Sequence, residues 1–310
     1  MKKDLLSISD LDRREAEGLI EQALRMKQEG TSPVLAGKTL VLLFEKPSLR
    51  TKVSFQMAMH QLGGYSIYMS PEEVGLGKRE SVADVARVLS RYVDGVTART
   101  FSHDTLRVLA EYSPVPIINA LSDLEHPCQS LADLLTIREK RGRLSGLTLA
   151  YVGDGNNVAN SLLLAACLVG IHFSIATPQG YQLDGEMLDQ GRAFAANSGS
   201  RIRTTTDPYE AVKDADVVYT DVWTSMGQEK EAEKRHKAFS GFQVDARMLD
   251  AAGKDVLFMH PLPAHPGEEI SPGLVDDPRS VVFDEAENRL HAQKALLAMM
   301  LAPDRTNQGR

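Results

Sequence analysis

Cysteine is scarce in this 310-residue chain. Cys128 and Cys167 are too few for a disulfide framework, and the cytosol is the default compartment for such a sequence. No apolar run approaches the roughly 18 residues that a membrane span needs. The first residues, Met1-Lys2-Lys3-Asp4-Leu5-Leu6, lack the long apolar core of a secretory signal. Positive charge is also short: 35 lysines and arginines face 42 acidic residues, giving a formal net charge of −7. That balance argues against a general nucleic-acid binder, whose footprint is basic, yet it leaves room for a local basic pocket that takes an anionic substrate. Internal repeats and low-complexity tracts are absent. What is present, 43% hydrophobic and 25% charged residues, is the composition of a soluble globular protein, and the length suits about two domains.

Ser9 with Asp12 reads as a variant capping box ahead of a helix bearing Leu11, Ala16, Leu19, Ile20, Ala23 and Leu24 on one face, with Gly30 at its end. Strand-like and helix-like segments then alternate. The strand candidates of the first half are 39–44, 65–69, 94–98 and 115–119; those of the second are 147–152, 172–176, 201–205, 216–220, 256–259 and 280–283. This alternation predicts an α/β protein of two domains, each a mainly parallel sheet flanked by helices. Short apolar strands without strict polar alternation fit sheets buried on both faces. The charged, glycine-containing stretch 138–146 marks the boundary, giving a first domain over 1–140 and a second over 141–284. A last helix over 285–301 is long enough to pack back on the first domain, to which 285–310 is assigned.

Five segments could carry chemistry. Phe44-Glu-Lys-Pro-Ser-Leu-Arg-Thr51 follows an apolar strand and opens a helix. A helix N-terminus offers unpaired N–H groups and partial positive charge, and Ser48, Arg50 and Thr51 add two hydroxyls and a guanidinium fork. The stretch reads as a phosphate cradle, and equally as a plain helix cap. Glu125-His-Pro-Cys-Gln129 opens another helix with Pro127 at its first position, so His126 and Gln129 fall at the carboxyl end of a parallel strand, where open α/β sheets bind ligands. A capping histidine and a surface glutamine fit as well. Gly153-Asp-Gly-Asn-Asn157 resembles the start of a dinucleotide fingerprint, but Val158 replaces its third glycine, and the next strand ends Ala176-Thr177-Pro178 with no acidic residue for a ribose. Asn156 and Asn157 then suit a small polar substrate, or simply a turn. Asp221 ends a further strand, where a carboxylate can hold an ammonium group or cap a helix; the only tryptophan, Trp223, and a Ser225-Met226-Gly227 turn follow it and could close over a substrate. Met259-His-Pro-Leu-Pro-Ala-His265 has two prolines that favour extended backbone and can aim carbonyls at a ligand, or form a rigid connection. His260 and His265 lack helical spacing and an obvious third ligand, so no metal site is assigned. Arg289 in the last helix and Arg99 at a strand end are either anion ligands or solvated charges.

Taken in order, FEKPSLRT, ARTF, HPCQ, GDGNN, DVWTSMGQE, HPLPAHPGEE and ENRLHAQKAL resemble the aspartate/ornithine carbamoyltransferase family over nearly the whole chain, most closely its ornithine branch. The resemblance implies two α/β domains with the site between them, a homotrimer or multiple of trimers, carbamoyl phosphate and L-ornithine as substrates, and no cofactor. It implies that Ser48, Leu49, Arg50, Thr51, Arg99, His126, Gln129, Pro261, Leu262 and Arg289 bind carbamoyl phosphate, and that Asn157, Asp221, Ser225 and Met226 bind ornithine. Arg50, Arg99, His126 and Asp221 are the catalytic set it points to. No protein nucleophile is needed, because positioning and charge stabilisation suffice for this transfer.

Three positions depart from the family pattern. Leu49 replaces a threonine, which removes a hydroxyl but keeps the backbone N–H. Pro261 stands where ornithine enzymes carry cysteine, as in aspartate enzymes. Gly75 stands where a glutamine is expected, with basic Lys78 and Arg79 close by. The Ser225-Met226-Gly227 turn favours ornithine over aspartate, which needs cations for two carboxylates, and over putrescine, which lacks the groups that turn would recognise. An N-acylated ornithine or another amine is the alternative acceptor. A nicotinamide-dependent dehydrogenase and a catalytically inactive ligand-binding member of the family are competing readings.

Overall fold

A computed structural model of the chain describes residues 3–30, 32–77, 79–225, 227 and 229–302. The chain divides into two compact units, 1–132 with 288–310, and 133–287. In the first, α1 (Arg13–Glu29), β1 (Thr39–Phe44), α2 (Leu49–Gln61), β2 (Tyr65–Met69), α3 (Pro71–Val74), α4 (Val82–Leu89), β3 (Gly95–Arg99), α5 (His103–Tyr112) and β4 (Ile117–Leu121) follow one another. Helix α6 (Pro127–Arg141) carries the chain into the second unit without a break. There, β5 (Thr148–Val152), α7 (Asn157–Val169), β6 (His172–Ala176), α8 (Gly185–Ser198), β7 (Ile202–Thr205), α9 (Pro208–Val212), β8 (Val217–Tyr219), α10 (Ala232–Ala238), α11 (Ala246–Ala252) and β9 (Leu257–Met259) lead to α12 (Val282–Leu301). From Asn288 onward α12 belongs to the first unit. The division at 132/133 lies inside α6, ahead of the 140/141 boundary read from the sequence, because this helix runs on through the charged segment as far as Arg141.

Among the described residues the strands form two parallel sheets, ordered β2-β1-β3-β4 and β7-β6-β5-β8-β9. Interior strands such as Leu40–Phe44 and Val217–Tyr219 are buried throughout, as parallel strands covered on both faces must be. The strands at one edge of each sheet, β2 and β7, are half exposed instead. Val41, Leu43, Val96, Ala98, Leu106 and Leu109 pack in the first core; Val152, Val218, Phe239, Phe242 and Phe258 pack in the second. Among the described residues no helix is long and apolar enough to cross a membrane.

Helix ends follow local chemistry. Asp12 and Glu15 form a reciprocal capping box at α1, and Ser7 with Asp10 form another one turn earlier. Ser9 therefore does not cap α1; its hydroxyl meets that of Ser7 at 2.8 Å. Asn156 caps α7, whose buried residues lie on every side, the mark of a helix sunk in a core. Gly155 precedes it because a Cβ there would stand 2.5 Å from the backbone of Gln182 and Leu183. The expected strand over 280–283 is absent. Ser280 makes a single bridge to Phe258, and α12 starts at Val282, with Asp284 and Glu285 in its first turn where acidic groups favour a helix start. This helix thus begins three residues before the expected Glu285.

Candidate active site

In the first unit the register pairs Phe44 of β1 with Arg99 of β3, and Arg99 with Leu121 of β4. The loops after these parallel strands consequently leave from one edge, which brings Ser48–Thr51, Arg99 and His126–Gln129 to the same end of the sheet. Ser48 is the N-cap of α2, and its Oγ accepts the Thr51 N–H at 3.4 Å. Its hydroxyl donates to Thr51 Oγ1 at 3.0 Å. Thr51 Oγ1 also accepts from Arg289 Nη2 at 2.7 Å, while Arg289 Nη1 donates to Gln129 Oε1. Arg289 is buried, so the sequence's alternative of a solvated helix charge does not hold. Arg99 is buried as well, and among the described residues nothing accepts from its Nε. Leu49 is 77% exposed and turns its side chain away from this packing.

Charge accumulates here. Burial lowers the affinity of the Arg99 guanidinium for its proton, and the neighbouring Arg289 and Arg50 cations lower it further, to a pKa of about 10. Arg50 itself is shifted down by burial. Burial, then Arg289 and Arg99, hold His126 well below the ordinary histidine range, so its imidazole is neutral at neutral pH and can donate a hydrogen bond without carrying charge. Three neighbouring guanidinium groups, two of them buried and Arg50 half-buried, repel each other, and an anion relieves that repulsion. Beside the N-terminus of α2, such a cluster has the chemistry that suits an anion.

The second unit repeats the logic. Tyr151 of β5 pairs with Tyr219 of β8, and Tyr219 with Met259 of β9, so the segments after all three strands share one edge. Asp221 is buried there and accepts from Asn156 Nδ2 at 2.8 Å. Asn156 Oδ1 is spent on the N–H groups of Val158 and Ala159, which fixes which end of the amide faces Asp221. Burial raises the Asp221 carboxyl above its ordinary value; His260 and the Asn156 bond partly offset this. A buried carboxylate short of positive charge is a natural seat for an ammonium group. Asn157 begins α7 beside it and is half-buried, as is Ser225. Met226 and Lys78 lie outside the described residues.

The turn after β9 differs from the sequence expectation. Pro261 is buried, but Leu262 adopts φ +55° and the Leu262–Pro263 peptide is cis, so the run is not extended. A side chain holds this turn: His260 Nδ1 accepts the Leu262 N–H at 2.9 Å, which leaves the ring proton on Nε2, 3.2 Å from Glu269 Oε1. His265, Glu268 and Glu269 bring ligand-type atoms within 4.8 Å of one another; Glu269 Oε1 meets His260 Nε2 and accepts the His265 N–H, while its Oε2 lies 3.7 Å from His265 Nδ1. Neither cysteine supplies the thiolate that Pro261 lacks. Burial pushes the Cys128 thiol up to about 12 and that of Cys167 up to about 11.

One supporting group was not read from the sequence. Arg235, buried in α10, donates through Nη1 to Asp154 Oδ2 at 2.7 Å and to the Trp223 carbonyl at 2.8 Å. The Trp223 ring stacks on Phe239, with centroids 5.6 Å apart. These contacts pin the strand-to-turn segment that follows Asp221. Arg235→Ala would strand a buried carboxylate, and the expected loss is about 3–5 kcal/mol of stability, read from the urea unfolding midpoint.

A cationic cluster in one α/β unit and a buried carboxylate–amide pair in the other are features of an α/β enzyme class that handles small charged metabolites. The chain belongs to the aspartate/ornithine carbamoyltransferase family. Residues 3–139 match that family's carbamoyl-P binding domain and residues 145–300 its Asp/Orn binding domain. It is 51% identical to an ornithine carbamoyltransferase of Thermococcus kodakarensis, over 96% of each chain. To that of Bacillus subtilis it is 48% identical, over 96% of this chain and 94% of the other. The solved ornithine carbamoyltransferase of Pyrococcus furiosus superposes with a TM-score of 0.93 at 49% identity, covering 96% of this chain and 97% of that one.

Proposed function

We propose that this protein transfers the carbamoyl group of carbamoyl phosphate to the δ-amine of L-ornithine, giving L-citrulline and phosphate, as a cytoplasmic enzyme of arginine biosynthesis. The observation that carries the reading is the bonded chain Ser48–Thr51–Arg289–Gln129 beside Arg50 and Arg99. Ser48, the Leu49 N–H, Arg50, Thr51 and Arg289 hold the phosphate. Arg99, Thr51 and neutral His126 stabilise the carbonyl oxygen as it becomes an oxyanion, while Gln129 and the Pro261 and Leu262 carbonyls orient the carbamoyl amide. Asp221 takes the α-ammonium of ornithine, with Asn157, Ser225 and Met226 on the amino-acid end. The neutral δ-amine then attacks the carbonyl carbon. Its new C–N bond replaces the C–O bond to phosphate, and the nitrogen loses a proton as phosphate departs. Positioning and preorganised charge supply the catalysis.

Assays with carbamoyl phosphate against ornithine, N-acetylornithine, N-succinylornithine, putrescine and aspartate test this reading. Citrulline is expected to form well above every other product; turnover confined to an acylated ornithine would overturn the choice of acceptor. The same reading makes the protein a homotrimer or a multiple of trimers. An exposed apolar stripe supports self-association: Leu49, Val53 and Met57 recur every four residues along α2, and Tyr65 and Ile67 are exposed on β2. Light scattering that finds a monomer at micromolar concentration would remove that part.

A further inference from the structure

Asp133 in α6, Tyr219 at the end of β8 and Glu285 in the first turn of α12 are fully buried, and no step of the proposed transfer uses them. The Tyr219 phenol oxygen lies 3.3 Å from Asp133 Oδ2 and 3.2 Å from Glu285 Oε1. Both carboxyl side chains therefore meet at one phenol, sealed from water. Ionised carboxylates only accept and a phenol has one proton to give, so a second proton, on one of the carboxyls, is what satisfies this buried cluster. The other Glu285 oxygen, Oε2, accepts the His260 N–H at 2.9 Å. His260 opens the turn that presents Pro261 and Leu262, and its ring is clamped from the other side by Glu269 and the Leu262 N–H.

We propose that Glu285 is a positioning residue for carbamoyl transfer: as a neutral acid sharing the Tyr219 phenol with Asp133, it fixes the His260–Pro261–Leu262 turn through the His260 N–H. This rests on the function proposed above for that turn. Titratable groups face Glu285 from each neighbouring element: Asp133 from α6, Tyr219 from β8 and His260 from the end of β9. Burial, with the adjacent Asp133, pushes the Glu285 carboxyl well above the usual range, the direction in which its acid form is favoured. Losing its proton would place two carboxylates side by side in a dry interior and loosen the turn, so activity falls on the alkaline side.

Two variants and one spectrum test this. Glu285→Gln keeps an oxygen for the His260 N–H, gives Asp133 an amide donor and has no proton to lose. It is expected to keep kcat and both KM values within about twofold at neutral pH and to extend activity to higher pH. Glu285→Ala removes the acceptor and should lower kcat about tenfold or more while leaving the KM for ornithine within about twofold. Infrared difference spectra of the unsubstituted protein against Glu285→Gln should show a carboxylic-acid C=O band at neutral pH in the former only. Absence of that band, or equal losses in the glutamine and alanine variants, or an unchanged kcat in Glu285→Ala, would overturn the proposal. Should the unsubstituted chain transfer carbamoyl to no amine, the functional reading fails, and the infrared band decides the shared proton by itself.

Discussion

Replacing Arg50 with alanine is expected to lower kcat/KM for carbamoyl phosphate by about 10²–10³-fold, the usual cost of deleting one preorganised donor to developing charge. The protein's unfolding midpoint should barely move. Arg50 is only half-buried and stands in the first turn of α2, where alanine is a strong helix former. Its removal also takes one of three mutually repelling cations away from Arg99. The Arg50 site is therefore one where function and stability pull apart: the repulsion is tolerated in the empty protein and relieved by the bound anion. Because charge on the leaving phosphate grows toward the transition state, kcat should fall more than carbamoyl phosphate binding weakens. Arg50→Lys should recover only part of the loss, since an ammonium cannot make the paired bonds of a guanidinium fork. Near-normal kinetics in the alanine variant would remove Arg50 from the phosphate site. Arg289 offers a less clean test, because its loss would also strip partners from Thr51 and Gln129.

The parallel strands and the residues at their carboxyl ends were legible because both are local signals. An apolar run followed by a polar turn and a helix start, as at Leu40–Thr51, marks its own place in such a sheet. What could not be read was which side chains hold those residues in position. Arg289 reaches Thr51 across 238 positions of sequence and Arg235 reaches Asp154 across 81, and no spacing rule covers such pairs. Nothing in the sequence singles out Asp133, Glu269 or Glu285; only the fold reveals that each is buried and bonded inside it. Misreadings arose where two local rules competed. Ser280-Val-Val-Phe283 has strand composition, but Asp284 and Glu285 next to it start a helix. The residue before Pro263 was expected to be extended, yet the His260 ring captures the Leu262 N–H and holds a tight turn. Gly153-Asp-Gly155, by contrast, was rightly not read as a complete nucleotide fingerprint, and Gly155 is there because the chain at Gln182 passes too close for a side chain.

Asp221→Asn is the counterpart on the acceptor side. The variant is expected to lose about 10²-fold in kcat/KM for ornithine, in line with 2–5 kcal/mol for unpairing a desolvated charge, while carbamoyl phosphate binding measured by calorimetry stays unchanged. Stability should move the other way. Burial raises the Asp221 carboxyl, so the folded protein holds that proton more tightly than the unfolded chain does. Ionising Asp221 consequently costs stability. The cost is absent below the ordinary aspartate range and grows as pH rises through that range toward the raised folded value. Asparagine never incurs it and keeps an oxygen to accept from Asn156. The melting temperature of Asp221→Asn should therefore equal or exceed the parent's at neutral pH, and the two should converge in acid, where Asp221 is neutral as well. Ornithine supplies through its ammonium the positive charge that this carboxylate lacks, so the parent should gain more thermal stability from added ornithine than the variant does. Equal stabilisation by ornithine in both proteins would place the ammonium elsewhere. A variant both less stable and normally active would make Asp221 a structural residue.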